Sequence, residues 1–202
     1  MAARLYLIRH GETQWSRTGQ HTGRTDLPLT AYGEQQAVKL GALLQRCRFS
    51  RVLISPLQRA VQTCQLAGFG AAGRVQPDLH EWDYGQYEGR TTAEIRAERP
   101  GWDVFRDGCP GGESPEQVAA RARAVLTEVR GTAGDVAIFS HGHFLRALAV
   151  GWIDLPIRCG RHVALDTASI SILGYENNDV AVPAVLLWNV VSTQMFEPAA
   201  RQ

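Results

Sequence analysis

Short apolar runs that stop abruptly at polar residues constrain the fold of this chain more than any other feature of its sequence. Each main run holds three or four consecutive apolar residues, the pattern of a strand that is covered on both faces of a sheet. Two further runs are predicted to be closing strands, and Val75 is predicted to begin another short strand. The main runs are residues 5–8, 51–54 and 135–139, and the closing runs are 168–173 and 184–188.

Segments with a helical pattern separate these runs. Three of them begin with a hydroxyl residue as N-cap, followed by proline or by an acidic or amide side chain, which are signals of a helix start. Strands that alternate with helices predict an α/β fold, a three-layer sandwich with a mostly parallel central sheet flanked by helices. The predicted helices run from Thr30 to Cys47, from Ser55-Pro56 through about Ala67, from Ser114 to near Gly131 and from Gly142 to about Ile153, and the tail after Phe196 is predicted to fray.

The length of 202 residues suits one domain with a sizeable core. We therefore expect a single domain over residues 1–202. The stretch 80–112 is rich in tryptophan, tyrosine, glycine and charge, and we expect it to form a lid-like excursion over the sheet.

The formal net charge of +1 gives no global attraction to nucleic acid or to an anionic membrane, and the aromatic residues do not interleave with a basic stripe. No apolar stretch has the length of a membrane span, and the first residues lack the apolar core of a signal peptide. The four cysteines are widely spaced, which is typical of reduced thiols. These patterns predict a cytoplasmic protein that binds neither nucleic acid nor membrane.

Arg9, His10 and Gly11 directly follow the first predicted strand. Ligands of parallel sheets bind beyond the carboxyl ends of the strands, so this position suits a functional residue. Neutral imidazole is a nucleophile for phosphorus, and a nearby guanidinium favours the neutral form. Gly11 would let the backbone approach a phosphate. The alternative is that His10 is a loop histidine paired with Glu12.

A second strand ends in the same way, in Ser140, His141 and Gly142. His141 would lie at the start of a helix, whose N-terminal amides favour an anion, and it could stabilise charge on a phosphoryl group. The alternative is a histidine bonded only to backbone. Because two strands end in histidine, we expect His10 and His141 to converge on one anion-sized site.

Two further charged residues complete the candidate site. Arg59 lies just inside the helix after the 51–54 run, where its guanidinium could form two hydrogen bonds with a phosphate. Glu81 lies beside an aromatic residue and could act as a general acid, with Asp83 as a rival. The alternatives are an exposed helix arginine and two solvated loop carboxylates.

No metal and no other cofactor are expected. The six histidines show no metal-ligand spacing such as HExxH, and no glycine motif for nucleotide binding is present. His21 and His143 could line the pocket, whereas His80 and His162 are more typical of surface positions.

Together these motifs resemble the histidine phosphatase superfamily, in its phosphoglycerate mutase-like branch. Several dispersed motifs in the right order are far more specific than any one of them. The resemblance implies a phosphoglycerate mutase-like sandwich and a metal-independent reaction through a phosphohistidine. The matching segments are residues 7–13, 22–23, 26–30, 55–63, 81–89 and 140–142.

The resemblance also implies roles for single residues. His10 becomes phosphorylated, Glu81 donates a proton, and His141 joins the arginines in the phosphate pocket. Ser16 stands where the family often has asparagine, which puts its hydrogen bond to phosphate in question. The expected catalytic residues are His10, Glu81 and His141, the phosphate-binding residues are Arg9 and Arg59, and the substrate-binding residues are Ser16, Thr22, Gly23 and Tyr84.

Two functions within the family compete. Cofactor-dependent phosphoglycerate mutases typically carry Glu-Arg-His-Tyr-Gly where residues 81–85 of this chain are Glu-Trp-Asp-Tyr-Gly, so an arginine that helps clamp the substrate carboxylate is missing. The chain also lacks the long basic insertion with which mutases shield their phosphohistidine from water. A pocket open to water favours hydrolysis, so a phosphatase is the first hypothesis and a mutase is the alternative.

The segments 20–23, 81–89 and 107–113 are similar to fungal sedoheptulose-bisphosphatase and to a group of bacterial acid phosphatases. This similarity implies a phosphoric monoester hydrolase of the histidine acid phosphatase type. Its expected partner is a small phosphorylated substrate, a sugar phosphate or bisphosphate, and the apolar closing strands hint at a homodimer. A non-catalytic phosphate-binding protein is a third hypothesis, because a fold does not guarantee activity.

Overall fold

A six-stranded sheet lies at the centre of the computed structural model, which describes residues 2–191. The strands are β1 (Leu5–Arg9), β2 (Arg51–Ile54), β3 (Gly73–Val75), β4 (Val136–Ser140), β5 (Ser169–Tyr175) and β6 (Pro183–Val191). Their order across the sheet is β3-β2-β4-β1-β5-β6. The first four strands are parallel to one another, whereas β5 and β6 run antiparallel to their neighbours. The predicted mostly parallel sheet is confirmed.

Helices cover both faces of the sheet. The long helices end within three residues of their predicted limits. Among residues 2–191 the α-helices are α1 (Gln14–Thr18), α2 (Ala31–Leu44), α3 (Gln58–Leu66), α4 (Thr92–Glu98), α5 (Val104–Asp107), α6 (Pro115–Arg130) and α7 (Gly142–Trp152). Short 3-10 turns lie at Gly70–Ala72, Pro77–Leu79, Gly85–Tyr87, Ile157–His162 and Glu176–Asn178.

Side chains that alternate along the strands belong to two separate cores. Leu5 and Leu7 of β1 pack into the cluster that contains the buried faces of α6 and α7. Tyr6 and Ile8 pack into the cluster that contains α2 and α3. Alternation with a period of two is the geometry of a strand. Because the strand is buried on both faces, its sequence is a continuous apolar run, and the predicted three-layer sandwich is confirmed.

The register of β1 against β4 determines where the candidate site forms. Arg9 pairs with Ser140, so the next residues, His10 and His141, leave the sheet side by side. β2 flanks β4 on the other side and delivers Ser55 to the same edge. Three strand ends that are distant in the sequence therefore meet at one point.

The start of α3 differs from the prediction. Ser55 was predicted as the N-cap and Pro56 as the first helical residue, which is wrong: Gln58 is the first residue, and no side chain at the N-cap position caps the helix. Ser55 is not available because its backbone amide bonds to β4 and its Oγ lies 2.6 Å from Nε2 of His141. The Asp26 carboxylate accepts the backbone N–H of Gln58 at 2.8 Å instead.

The third strand ends where it was predicted to begin. β3 pairs with β2 up to Val75, and the backbone amide of Gln76 still bonds to Ile54 of β2. Pro77 then starts a 3-10 turn, because proline has no N–H with which to extend the ladder.

Residues 80–112 form an excursion between β3 and α6 that contains α4 and α5. Trp82 and Trp102 anchor it in the core, where both are at most 1% exposed. Glu81, Tyr84 and Thr92 line a cavity at the carboxyl edge of the sheet. The action of this segment as a lid and the extent of the domain over the whole chain stay predictions.

Several further expectations concern features other than the sheet and its helices. All four cysteines are free thiols. No helix within residues 2–191 is long and apolar enough to cross a membrane. β6 is an edge strand that exposes Leu186 and Leu187, and a homodimer through the closing strands stays a prediction. The predicted fraying after Phe196 falls outside the described residues.

Candidate active site

His10 presents one particular ring nitrogen at the end of β1. Its Nδ1 lies 2.7 Å from the carbonyl oxygen of Gly11, which can only accept, so Nδ1 carries the proton and donates it. In a neutral imidazole the other nitrogen then holds a lone pair, and Nε2 is the atom available as a nucleophile. The alternative pairing with Glu12 is not found, since the Thr30 hydroxyl donates to that carboxylate at 2.8 Å.

His141 lies beside His10, with the ring centroids 5.2 Å apart. Its Nδ1 accepts the Nε–H of Arg59 at 3.1 Å, and its Nε2 lies 2.6 Å from Oγ of Ser55. Arginine only donates, so Nε2 carries the ring proton and donates it to Ser55. The two imidazoles converge as expected. Contact of His141 with a phosphoryl group stays a prediction. To donate its Nε2 proton to a phosphoryl oxygen, the ring would have to give up its hydrogen bond to Ser55.

The electrostatic surroundings keep both imidazoles uncharged. Burial lowers the pKa of His10 and of His141 well below the ordinary value, and the nearby Arg59 and Arg9 act in the same direction. Both rings are therefore neutral near neutral pH, and His10 retains its lone pair on Nε2.

Arg9 has a donor that no protein group accepts. Its Nη1 donates to the carbonyl oxygen of Leu165, but its buried Nε has no hydrogen-bond partner among the described residues. Burial lowers the pKa of Arg9, against the opposing influence of the Glu81 carboxylate. A buried donor without an acceptor costs about 1–3 kcal/mol. Arg9 also lines the cavity, so its positive charge lies next to any anion bound there.

Arg59 is fully buried, which excludes the alternative of an exposed helix arginine. Besides the bond to His141, its Nη1 donates to the carbonyl of Thr25, and its Nη2 donates to the carbonyls of Thr22 and Gly23, all within 3.1 Å. These contacts hold the loop at residues 22–25 against α3. Arg59 thus lies one layer behind the cavity wall, and its direct contact with phosphate stays a prediction.

Glu81 lies in the cavity wall and is fixed by three backbone amides. Its Oε1 accepts from Trp82 and Phe144 at 2.9 Å, and its Oε2 accepts from His143 at 3.0 Å. Two of these amides belong to the first turn of α7, where the helix dipole attracts negative charge. The carboxyl group is therefore held rigidly at the helix start, beside the histidines.

The two residues that follow Glu81, Trp82 and Asp83, do not line the cavity. The rival carboxylate, Asp83, forms an ion pair with Arg24 at 2.5 Å. Trp82 is fully buried, and its Nε1 donates to the carbonyl of Glu113 at 3.0 Å. Glu81 is thus the carboxyl group of this segment that faces the cavity and can exchange a proton with a ligand there, and position 82 packs into the core.

Ser16 and Thr22 both line the cavity. Ser16 also caps α1, because its Oγ accepts the backbone N–H of Thr13 at 2.8 Å and donates to the carbonyl of Thr13 at 3.0 Å. The Thr22 hydroxyl donates to the carbonyl of Gln20 at 3.3 Å. Contact of either hydroxyl with substrate stays a prediction.

Gly23 lies behind the cavity wall, in a very tight contact. A Cβ atom at this position would lie 2.6 Å from both the carbonyl oxygen of Trp82 and Oε2 of Glu88. Gly11 is similar, because a Cβ there would collide with the carbonyl of Gly33. Both glycines are therefore needed for backbone packing, and neither is shown to approach a phosphate.

Tyr84, His21 and His143 form an uncharged polar wall of the cavity. Burial raises the pKa of Tyr84 well above its ordinary value, so its hydroxyl stays protonated; it lies 2.6 Å from Nδ1 of His143. Burial lowers the pKa of His143 well below the ordinary value and that of His21 to about 4. This wall offers hydrogen bonds without adding charge.

These residues surround a cavity of about 250 Å³. Sequence reasoning assigned no role to five lining residues, Gly19, Gln20, Thr92, Arg146 and Leu165. Only Arg146 had a usable signal, since it follows His143 by one helical turn and so shares its face of α7. A larger groove of about 440 Å³ between α6 and α7 contains none of the candidate residues.

The arrangement can receive an anion next to a nucleophile. A lone pair on His10, a guanidinium with an unpaired donor and a fixed carboxyl group share one cavity, which is the combination that phosphoryl transfer to an imidazole requires. Within residues 2–191 no three histidine, cysteine, aspartate or glutamate side chains are grouped to hold a metal ion.

Comparison with known families gives an extended match. A sequence profile of the histidine phosphatase superfamily (branch 1) matches residues 5–190. The matched span contains all the candidate site residues named from the sequence.

Curated relatives carry phosphatase and mutase names. An acid phosphatase of Mycobacterium tuberculosis is 45% identical over 178 residues, which cover 86% of this chain and 87% of that protein. Sedoheptulose 1,7-bisphosphatase of Saccharomyces cerevisiae is 35% identical and covers 78% of this chain and 70% of its own. A Salmonella choleraesuis protein named "Probable phosphoglycerate mutase GpmB" is 32% identical, over 86% of each chain.

A solved structure shares the fold. The product of an open reading frame of Mycobacterium tuberculosis superposes with a TM-score of 0.88 at 41% identity, and the match covers 95% of this chain and all of the other.

Proposed function

The chain belongs to the histidine phosphatase superfamily, and we propose that it is a metal-independent phosphatase that hydrolyses small phosphomonoesters through a phosphohistidine on His10. The observation that carries this proposal is the hydrogen bond from Nδ1 of His10 to the carbonyl of Gly11, which leaves Nε2 as a nucleophile in a cavity that the guanidinium-bearing Arg9 also lines. Relatives named acid phosphatase and sedoheptulose 1,7-bisphosphatase support hydrolysis as the activity.

In the first step, the lone pair on Nε2 of His10 attacks the phosphorus atom in line with the leaving oxygen. The N–P bond forms as the P–O bond to the leaving group breaks. The electron pair of the P–O bond stays on the leaving oxygen, which takes a proton from the Glu81 carboxyl group. The guanidinium of Arg9, which lines the cavity, meets the charge on the remaining oxygens, and Arg59 and His141 stabilise that charge from behind the cavity wall.

In the second step, water attacks the phosphohistidine. The Glu81 carboxylate takes a proton from the water as its oxygen bonds to phosphorus. The N–P bond breaks, its electron pair returns to Nε2 of His10, and inorganic phosphate leaves. Glu81 is protonated again and His10 is neutral, so the cycle closes without a metal or a reductant.

The proposed substrates are sugar phosphates or bisphosphates. A cavity of about 250 Å³ suits a small phosphomonoester, and its wall of Tyr84, His21 and His143 offers hydrogen bonds to hydroxyl groups. The name of the yeast relative, a sugar bisphosphatase, points in the same direction.

Replacement of the nucleophile tests the proposal. We expect the protein to release phosphate from p-nitrophenyl phosphate in the presence of EDTA, and His10→Ala to reduce turnover by about 10³-fold or more because the imidazole that forms the covalent intermediate is removed. A phosphoenzyme trapped from labelled substrate should be labile in acid and stable in alkali. His162→Ala, an exposed histidine outside the cavity, is the matched control. More than trace turnover in His10→Ala would show that this mechanism is wrong.

A cofactor-dependent phosphoglycerate mutase is the second candidate, because one relative bears that name. Against it, position 82, where mutases typically carry arginine, holds a tryptophan that is fully buried in the core and lies outside the cavity wall. Interconversion of 2- and 3-phosphoglycerate that is stimulated by the bisphosphorylated form and outpaces phosphate release would establish the mutase and overturn the phosphatase.

A further inference from the structure

Arg121, in the middle of α6, has a hydrogen-bond acceptor for each of its five N–H donors. Its Nε and Nη2 donate to the two carboxylate oxygens of Glu113 at 3.0 and 2.8 Å. Its Nη1 donates to the carbonyls of Asp78 and His80 at 2.8 and 2.7 Å, and Nη2 donates to the carbonyl of Glu81 in a longer contact of 3.4 Å. The guanidinium is therefore held in one orientation against the main chain that leads to Glu81.

Glu113, the ionic partner of Arg121, holds the main chain on the other side of Glu81. Its Oε2 also accepts the backbone N–H of Asp83 at 2.9 Å, and its main-chain carbonyl accepts Nε1–H of Trp82 at 3.0 Å. The side chains of Arg121 and Glu113 are only 8% and 17% exposed, so water competes little for these charge-assisted bonds. The pair thus fixes the chain before and after Glu81.

The same guanidinium contacts the residue that binds the Glu81 carboxylate. The Cζ atom of Arg121 lies 4.2 Å from the ring centroid of Phe144, a cation–π contact. The backbone N–H of Phe144 donates to Oε1 of Glu81 at 2.9 Å. Arg121 therefore joins the two parts of the molecule that set the position of this carboxyl group, the main chain of Glu81 and the start of α7.

Arg121 does not line the cavity, so it has no direct contact with a ligand there. Any influence of Arg121 on the reaction must pass through the residues that it holds. Among these residues, Glu81 faces the cavity.

We propose that Arg121 is a positioning residue that aligns the Glu81 carboxyl group with the leaving oxygen of the substrate. This inference rests on the proposed phosphatase activity, in which Glu81 donates the proton. Proton transfer needs the two heavy atoms within hydrogen-bond reach, and a misplacement of about 1 Å can cost about 10²-fold in rate. The alternative is that Arg121 only attaches the segment at residues 80–112 to α6.

The test compares two aryl phosphates that differ in how strongly the leaving oxygen needs a proton. p-Nitrophenyl phosphate releases a nitrophenolate, which is stable without a proton, whereas phenyl phosphate releases the more basic phenolate. We expect Arg121→Met to lower kcat/KM for phenyl phosphate about fivefold more than for p-nitrophenyl phosphate, because a displaced acid matters most for the poorer leaving group. A purely structural role would lower both values by the same factor.

A conservative variant and a matched control accompany this measurement. Arg121→Lys keeps the charge beside Glu113 but has three donors in place of five, so it should shift the ratio of the two kcat/KM values in the same direction, and it carries the test if Arg121→Met does not fold. Arg130→Met is the control: Arg130 also belongs to α6, lies 5.0 Å from the ring centroid of Trp152 and donates to the carbonyl of that residue at 2.9 Å. It does not line the cavity, and the ratio should not change.

A double-mutant cycle with Glu81→Gln tests whether Arg121 acts through this carboxyl group. Glu81→Gln alone should shift the ratio, because the acid is lost. Adding Arg121→Lys to Glu81→Gln should then shift the ratio no further, since the two changes remove one interaction. An additional shift as large as that in the wild-type background, or an unchanged ratio in the folded Arg121 variants, would overturn the positioning role.

Hydrogen exchange separates failure of this inference from failure of the proposed function. If wild type hydrolyses neither aryl phosphate, the phosphatase proposal falls, and the amides of His143 and Phe144, which donate to Glu81, report on the position of that carboxylate. They should exchange about tenfold faster in Arg121→Lys than in wild type and at the wild-type rate in Arg130→Met. Equal exchange in Arg121→Lys and wild type would remove the positioning role. Hydrolysis of both substrates with an unchanged ratio leaves the phosphatase and removes the role of Arg121.

Discussion

At the scale of single residues, the carbonyl of Gly11 selects the tautomer of His10. It accepts the proton of Nδ1 at 2.7 Å, and the acceptor belongs to the next residue along the chain. The nitrogen that we propose as the nucleophile is thus oriented by local backbone geometry, without a carboxylate partner that would raise the basicity of the ring. The low charge of the ring follows from burial and from the two arginines.

Gly23 supports a prediction at this scale. We expect Gly23→Ala to lower the free energy of unfolding by about 1–3 kcal/mol, because its Cβ would overpack the segment that carries Glu81. A Cβ there meets a backbone carbonyl, that of Trp82, which cannot rotate away. Urea unfolding measures the loss, and kcat/KM should fall with it.

Gly131 provides the matched control. It follows α6 with φ −84°, and a Cβ there meets nothing within 4 Å. Gly131→Ala should leave stability unchanged or raise it by about 0.4–1 kcal/mol. If the two alanine variants unfold at the same urea concentration, close packing is not the reason for a glycine at position 23.

Single residues also show how far sequence reasoning reaches. His10 and His141 were predictable because each follows an apolar run, and strand ends are where such folds bind ligands. The buried position of Arg59 was not, since its partners are backbone carbonyls of a loop more than thirty residues earlier. Arg146 went unnoticed because a lone arginine on an amphipathic helix is ordinary until the opposing segment at residues 80–112 is in place.

At the scale of elements, a side chain distant in the sequence, that of Asp26, caps the start of α3. Oδ1 of Asp26 accepts the backbone N–H of Gln58, and the main-chain carbonyl of Asp26 accepts the side-chain amide of Gln58. The sequence signal Ser55-Pro56 suggested a local cap. Ser55 instead bonds to His141. The contact within the candidate site therefore takes the place of the local N-cap.

Removal of the Asp26 carboxylate should loosen the start of α3. We expect Asp26→Ala to lower the free energy of unfolding by about 1 kcal/mol, as for loss of a helix N-cap, and to reduce activity because Arg59 lies in the first turn of α3. Asp26→Asn retains an acceptor oxygen and should preserve most of the stability. The measurement is thermal unfolding of both variants. Equal losses in alanine and asparagine would mean that the hydrogen bond to Gln58 does not hold the helix start.

At the scale of the whole molecule, burial of uncharged histidines links stability to pH. His10, His21, His141 and His143 all have a pKa below the ordinary value of 6.5, with burial as the first cause. Below pH 6.5 the unfolded chain takes up protons at these rings and the folded protein does not. The unfolded state is then favoured, so stability falls as the pH drops below that value.

His21 makes this linkage measurable. Its pKa in the folded protein is about 4. Lowering the pH to one unit below the pKa of this histidine in the unfolded chain therefore reduces the free energy of unfolding by roughly 1 kcal/mol. Urea unfolding at about pH 7.5 and about pH 5.5 should show a smaller loss on acidification in His21→Asn than in wild type, by roughly that amount. The variant can be less stable at both values, since only the change between them is compared. If wild type and His21→Asn lose the same unfolding free energy between the two pH values, the buried neutral ring of His21 is not a source of the pH dependence.

The pairing of Arg9 with Ser140 joins positions 131 residues apart, and the imidazoles of His10 and His141 lie side by side only once that pairing has formed. Contacts between such distant segments form late and slowly in folding. We therefore expect recovery of turnover after dilution from denaturant to follow the formation of this long-range pairing, and a nascent chain that still lacks β4 to be inactive.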